Sequence, residues 1–93
     1  MSSEEEIKAV FNEVKELVLK KNDQYGDSVL EPVRIFSKSP INEQIMVRLD
    51  DKLSRLARGN DSIESDEDIF KDIIGYCAFA IIALRRRKEN SGP

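Results

Sequence analysis

An all-α fold, a small bundle of three main helices with a long first connection, is predicted by three observations. Apolar residues recur with the i, i+3, i+4, i+7 spacing of a helix face in successive stretches. Leu, Ile, Lys and Glu are abundant, whereas aromatics make up only 6% of the chain and Trp is absent. Each stretch is bracketed by residues that start or stop helices.

The first helix is predicted over about 4–21. Ser3 and Glu6 have the spacing of a capping box, and Ile7, Val10, Phe11, Val14, Leu17 and Val18 follow as one apolar stripe. Lys8, Glu13, Lys15, Glu16 and Lys20 form its solvated side. Asn22 to Ser28 reads as a loop, because Gly26 permits positive φ and Asn and Asp favour turns. Val29 to Lys38, with Pro32, reads as one short helical turn within the long connection.

The second helix is predicted over about 40–58. Ser39 would cap it, with Pro40 in its first position. Ile41, Ile45, Leu49, Leu53 and Leu56 mark its apolar face, and Gly59-Asn60 ends it. A polar loop, Asn60 to Ser65, follows. The third helix is predicted over about 66–88, capped by Ser65, with Asp66, Glu67 and Asp68 at its positive end and Arg85 to Lys88 at its negative end. Its second half, Tyr76 to Leu84, is apolar all round and needs burial on more than one side. The tail 89–93 is expected to be flexible.

The 93 residues amount to one domain, 1–93, whose core is marginal alone, so a homo-oligomer is expected. The net charge of −3 argues against nucleic acid as a partner. With no His, a His base, a His metal ligand and Ser-His or Cys-His dyads are excluded, and a single Cys leaves zinc no ligand set. Cys77 has no internal disulfide partner and is expected in the core. The acidic N-terminus is unlike a signal peptide, and the longest uncharged apolar run, Gly75 to Leu84, is too short for a bilayer. A cytoplasmic location with no membrane contact is expected.

Two charged stripes carry the functional argument. Arg48, Asp51, Lys52 and Arg55 share one face of the second helix. Glu64, Asp68, Asp72 and Tyr76 fall at four-residue spacing along the third. Such stripes can hold a phosphate, a magnesium ion or each other. Arg forks suit phosphate oxygens and Lys supplies a point charge, so Arg34, Arg48, Lys52, Arg55 and Lys21 are candidate phosphate ligands. Tyr25 can stack on a base, Gly26 lets backbone approach a ligand, and Tyr76 can orient Asp72 or the ligand. No cofactor is required for binding alone; Asp68 and Asp72 are the carboxylates that would take magnesium. The structural alternative is interhelical ion pairing.

Four blocks stand in order: Lys21-Asn22-Asp23-Gln24-Tyr25-Gly26-Asp27-Ser28, Arg34-Ile35-Phe36-Ser37, Arg48 to Leu56, and Glu67-Asp68-Ile69-Phe70-Lys71-Asp72-Ile73-Ile74-Gly75-Tyr76. This order resembles the nucleotide modification associated domain 1 family, small helical bacteriophage proteins, over roughly residues 20–84. Gln24 departs from that family's pattern, where Asp commonly precedes Tyr-Gly. The chain is also distantly similar to the all-helical nucleotide pyrophosphohydrolases of the MazG type. Here the second helix has Glu43, Asp50 and Asp51 but not that group's Glu-x-x-Glu pair. The resemblance implies a nucleotide ligand, linear or cyclic, in an infected bacterial cell, where tight binding would sequester an antiviral defence signal. Two alternatives remain. One is a magnesium-dependent pyrophosphohydrolase using Asp51, Glu64, Asp68 and Asp72. The other is a structural, protein-binding helical module.

Overall fold

The computed structural model describes residues 1–59 and 64–90. Its elements are three helices, α1 (Ser3–Gln24), α2 (Ile41–Arg58) and α3 (Asp66–Asn90), with no strand among the described residues. The all-α bundle is the fold the periodicity predicts.

The ends of the helices differ from expectation for local reasons. Ser2, not Ser3, caps α1: its Oγ accepts the Glu5 backbone N–H at 3.2 Å. Ser2 and Glu5 have the same three-residue spacing as Ser3 and Glu6, so the motif was legible and its register was not. At its other end α1 runs on through Gln24, one turn into the predicted loop, and stops where Gly26 and Asp27 both take positive φ, 59° and 60°. α2 begins after Pro40, and no side chain caps it. The carbonyl of Ser39 instead accepts from Arg34 Nη1 at 2.7 Å and Gln44 Nε2 at 2.8 Å. Gly59, at φ 71°, ends α2 as expected. Ser65 Oγ accepts the Asp68 N–H at 3.2 Å, the expected cap of α3. The helical turn in the connection falls at 27–31, where Asp27 O accepts from the N–H groups of Leu30 and Glu31; residues 33–40 have no regular structure. The helix persists through Asn90, into the segment expected to be flexible, and 91–93 lie outside the described residues. So do 60–63, most of the predicted polar loop.

α3 is the helix on which both others pack. α1 runs beside it in the same direction: Glu13 pairs with Lys71, and Val18 touches Gly75. α2 runs against it, with Lys52 at Asp72 and Arg48 at Tyr76. A Cβ on Gly75 would lie 2.9 Å from Val18 Cγ2, so glycine sets the close approach of α1 to α3.

The buried apolar set among the described residues is small: Val14, Leu30, Ile45 and Ile69. Ile69 is 0% exposed and Ile45 1%. Ile69→Ala is therefore expected to cost about 3 kcal/mol, the removed methyl groups plus a cavity. Urea denaturation checks this, and a loss below about 1 kcal/mol would contradict the packing.

Much of the expected apolar surface is not covered. Ile7, Phe11, Leu53, Ile81 and Leu84 are exposed, and so is Cys77, which was expected in the core. The reason is geometric. Two helices pack on α3, and the all-round apolar half of α3 keeps a side that neither reaches. The radius of gyration is 15.2 Å, against about 12 Å for a compact chain of this length. No helix among the described residues is long and apolar enough to cross a membrane.

Candidate functional site

The two charged stripes face one another across α2 and α3, and α1 adds a third wall. Lys52 sits at the centre. Its Nζ donates to Glu64 Oε1 at 3.0 Å and lies 2.8 Å from Asp72 Oδ2. From α1, Lys21 Nζ reaches the other Asp72 oxygen at 3.2 Å. Arg55 donates from Nη1 to Glu64 Oε2 at 2.8 Å and holds Asp51 from Nη2 at 3.1 Å. Glu64 stands just ahead of α3 rather than within it, so the acidic stripe is a loop residue followed by a helix face.

Lys52 and Asp72 side chains are each 13% exposed, and their titrations reflect that. Burial would push the Asp72 carboxyl up, but hydrogen bonds from Lys52 and Lys21, with their charges, hold it below the ordinary carboxylate value. Burial would push the Lys52 ammonium down, but hydrogen bonds to Asp72 and Glu64 hold it above the ordinary lysine value. The Arg55 guanidinium is raised by its hydrogen bond to Glu64 and by Asp51. Both partners of the central pair are thus charged across the neutral range.

Beside this cluster lies a cleft of about 400 Å³. Leu17, Val18 and Phe79 supply apolar wall, and Tyr25 and Tyr76 flank it. Lys21, Arg48, Lys52 and Lys71 line it against two carboxylates, Glu64 and Asp72. The wall is therefore cationic in excess, although the whole chain carries −3. Arg48 differs from the other cations. Its Cζ lies 5.8 Å from the centroid of the Tyr76 ring, and among the described residues it has no ion pair. An Arg held against an aromatic face keeps its outer N–H groups for another acceptor.

Tyr25 is placed by turn chemistry. Its N–H donates to Lys21 O at 2.9 Å as α1 ends. Asn22 Nδ2 donates to Asp27 Oδ1, which ties the turn back onto the helix. In the same wall Asn22 Oδ1 is buried with no partner among the described residues. Gly26 serves the turn through its positive φ and does not line the cleft.

Of the predicted ligand residues, Lys21, Tyr25, Arg48, Lys52 and Tyr76 converge on this cleft; Arg34, Arg55 and Gly26 do not. Arg34 is held at the start of α2 by Ser39, and Arg55 is engaged with Glu64 and Asp51 outside the cleft wall. Among the proposed metal and catalytic carboxylates, Glu64 and Asp72 are held by cations, Asp51 is paired with Arg55, and Asp68 is exposed outside the cleft. Among the described residues no three acidic or Cys side chains gather where they could share a metal ion. Lys71 and Phe79 are among the wall residues that the sequence reading did not anticipate. Lys71 pairs with Glu67, four residues earlier, and with Glu13 of α1, and the i, i+4 spacing was its sequence signal. Phe79 was hidden within an apolar run.

No family model matches this chain, and neither a curated protein nor a solved structure matches it significantly.

Proposed function

We propose that the cleft between the three helices holds a small phosphorylated nucleotide and does not turn it over. The observation that carries this reading is the convergence of Arg48, Lys21 and Lys52 with two tyrosines in one cleft whose wall has excess positive charge. Arg48 would take phosphate oxygens through its fork, braced from behind by the Tyr76 ring. Lys52, one turn along the same face of α2, and Lys21, from α1, would add positive potential. Tyr25, exposed at the mouth, would stack on the base. The unpartnered Asn22 Oδ1 would accept a hydrogen bond from a ligand that opened that wall slightly.

Binding without turnover is favoured over hydrolysis by where the carboxylates stand. A two-metal hydrolase needs carboxylates directed at the ions that activate water. Here Glu64 and Asp72 are directed at Lys52. In the phage setting that the family resemblance implies, such a protein would sequester a nucleotide signal, linear or cyclic, used in antiviral defence. Self-association of the chain belongs to the same reading.

The test mixes the purified protein with linear and cyclic nucleotides, with and without magnesium. The filtrate is analysed before and after heat denaturation. A nucleotide that disappears and returns intact supports sequestration. Conversion to a monophosphate only with magnesium would overturn it in favour of a pyrophosphohydrolase, and no retention at micromolar concentration would overturn nucleotide binding itself. Arg48→Ala is expected to weaken retention roughly tenfold to a hundredfold, the loss of one charge-assisted contact. Its melting temperature should stay near wild type, because Arg48 is exposed and makes no ion pair among the described residues.

A further inference from the structure

We propose that two copies of this chain pair as a twofold dimer. In it, the start of α1 in each copy lies in a groove at the end of α3 in the other. This inference does not depend on what occupies the cleft.

The groove, about 470 Å³, lies where α2 begins and α3 ends. Leu30, Ile41, Ala83 and Leu84 line it with apolar surface, and Arg86 and Arg87 complete its wall. The apolar stripe of α1 is the matching half. Val14 is buried, but Ile7, Val10 and Phe11, earlier on the same face, are exposed, with Phe11 at 62%. The helix carries this uncovered stretch past its contact with α3, because α1 first pairs with α3 at Glu13 and Lys71, near the start of α3.

Charge matches as well as shape. The first turn of α1 holds Glu4, Glu5 and Glu6. Glu4 pairs locally with Lys8 at 3.3 Å, and Glu5 and Glu6 have no ion pair among the described residues. An amphipathic helix with an acidic start therefore has, in the same chain, an apolar groove with an arginine wall. Leu30, in the turn that follows α1, lines the groove, whereas the start of α1 lies a helix length of about 33 Å back from the end of that helix. Two copies laid antiparallel bring each into register with its complement, which is the condition for a reciprocal twofold contact. Area also favours reciprocity. A stable interface buries about 1,200–2,000 Å² in total, more than one seated helix of three turns supplies and within reach of two.

The experiment is sedimentation equilibrium of the full chain, without nucleotide, at low and high salt. Two charge-reversed variants, Glu5→Lys/Glu6→Lys and Arg86→Glu/Arg87→Glu, are run alone and mixed. The wild type should be a dimer that weakens with salt; each variant should shift toward monomer; and the mixture should regain a dimer of one chain of each kind. Circular dichroism confirms that each variant is helical, and should either be unfolded, Phe11→Ser, which keeps every charge, is expected to shift the wild-type dimer toward monomer. A monomeric wild type, a higher assembly, variants that dimerise like wild type, or a mixture that fails to recover would each overturn the proposal. Because the readout is mass, these outcomes are separate from any failure of nucleotide binding.

Discussion

Gly75→Leu is expected to lower stability by about 3 kcal/mol and to abolish nucleotide retention. Gly75 is buried where α1 crosses α3, and even a bare Cβ there would meet Val18 Cγ2 at 2.9 Å. Val18 has little freedom to retreat, since a β-branched side chain in a helix is held in one χ1 well. Alanine at this site has a compensation: it is favoured over glycine within a helix by about 1 kcal/mol. Gly75→Ala should accordingly lie near wild type. Leucine adds three further carbons with no further gain, and the strain is relieved only when α1 moves away. Lys21 and Tyr25 then leave the cleft with it, so ligand retention falls together with stability. Urea denaturation and the filtration assay read the two effects. A leucine variant as stable as wild type would mean that α1 does not approach α3 at this glycine.

The glycine also shows how far the sequence could be read. The helices were legible because periodicity, caps and the Gly59 stop act within a few residues of one another. That Gly75 is a crossing point was not legible: nothing local distinguishes it from a glycine tolerated inside a helix. The two charged stripes were legible as stripes. Their facing across α2 and α3 depends on an antiparallel packing that no single helix specifies. Arg34 illustrates the limit. By residue type it is as good a phosphate ligand as Arg48, but a carbonyl five residues away holds it at the start of α2. Cys77 illustrates the reverse error. An apolar run predicts burial only if enough helices exist to cover it, and this chain supplies α3 with two.

Replacing Lys52 by methionine should cost about 2–3 kcal/mol near neutral pH, more than any exposed ion pair contributes. The side chain is nearly isosteric along its stem, so the change removes the ammonium and little packing. Asp72 would then keep Lys21 and Glu64 would keep Arg55, cations that are more exposed than Lys52. Adding Asp72→Asn to Lys52→Met should recover part of the loss, because the double variant no longer buries an unmatched carboxylate. The pH dependence has a definite sign. The Asp72 pKa is lowered in the folded state, so its contribution is complete above the ordinary carboxylate pKa of about 3.9 and disappears as pH falls through the lowered value. The Lys52 pKa is raised, so its contribution is complete below about 10.4 and disappears as pH rises through the raised value. The difference between wild type and Lys52→Met should therefore be flat across the neutral range and collapse at both extremes. A difference that varies between pH 6 and 8 would assign the stabilisation to other groups. The same variant separates the two roles of Lys52. If its ammonium only holds Asp72 and Glu64 together, the double variant regains stability and nucleotide retention in parallel. If it also meets phosphate, stability returns in the double variant and retention does not.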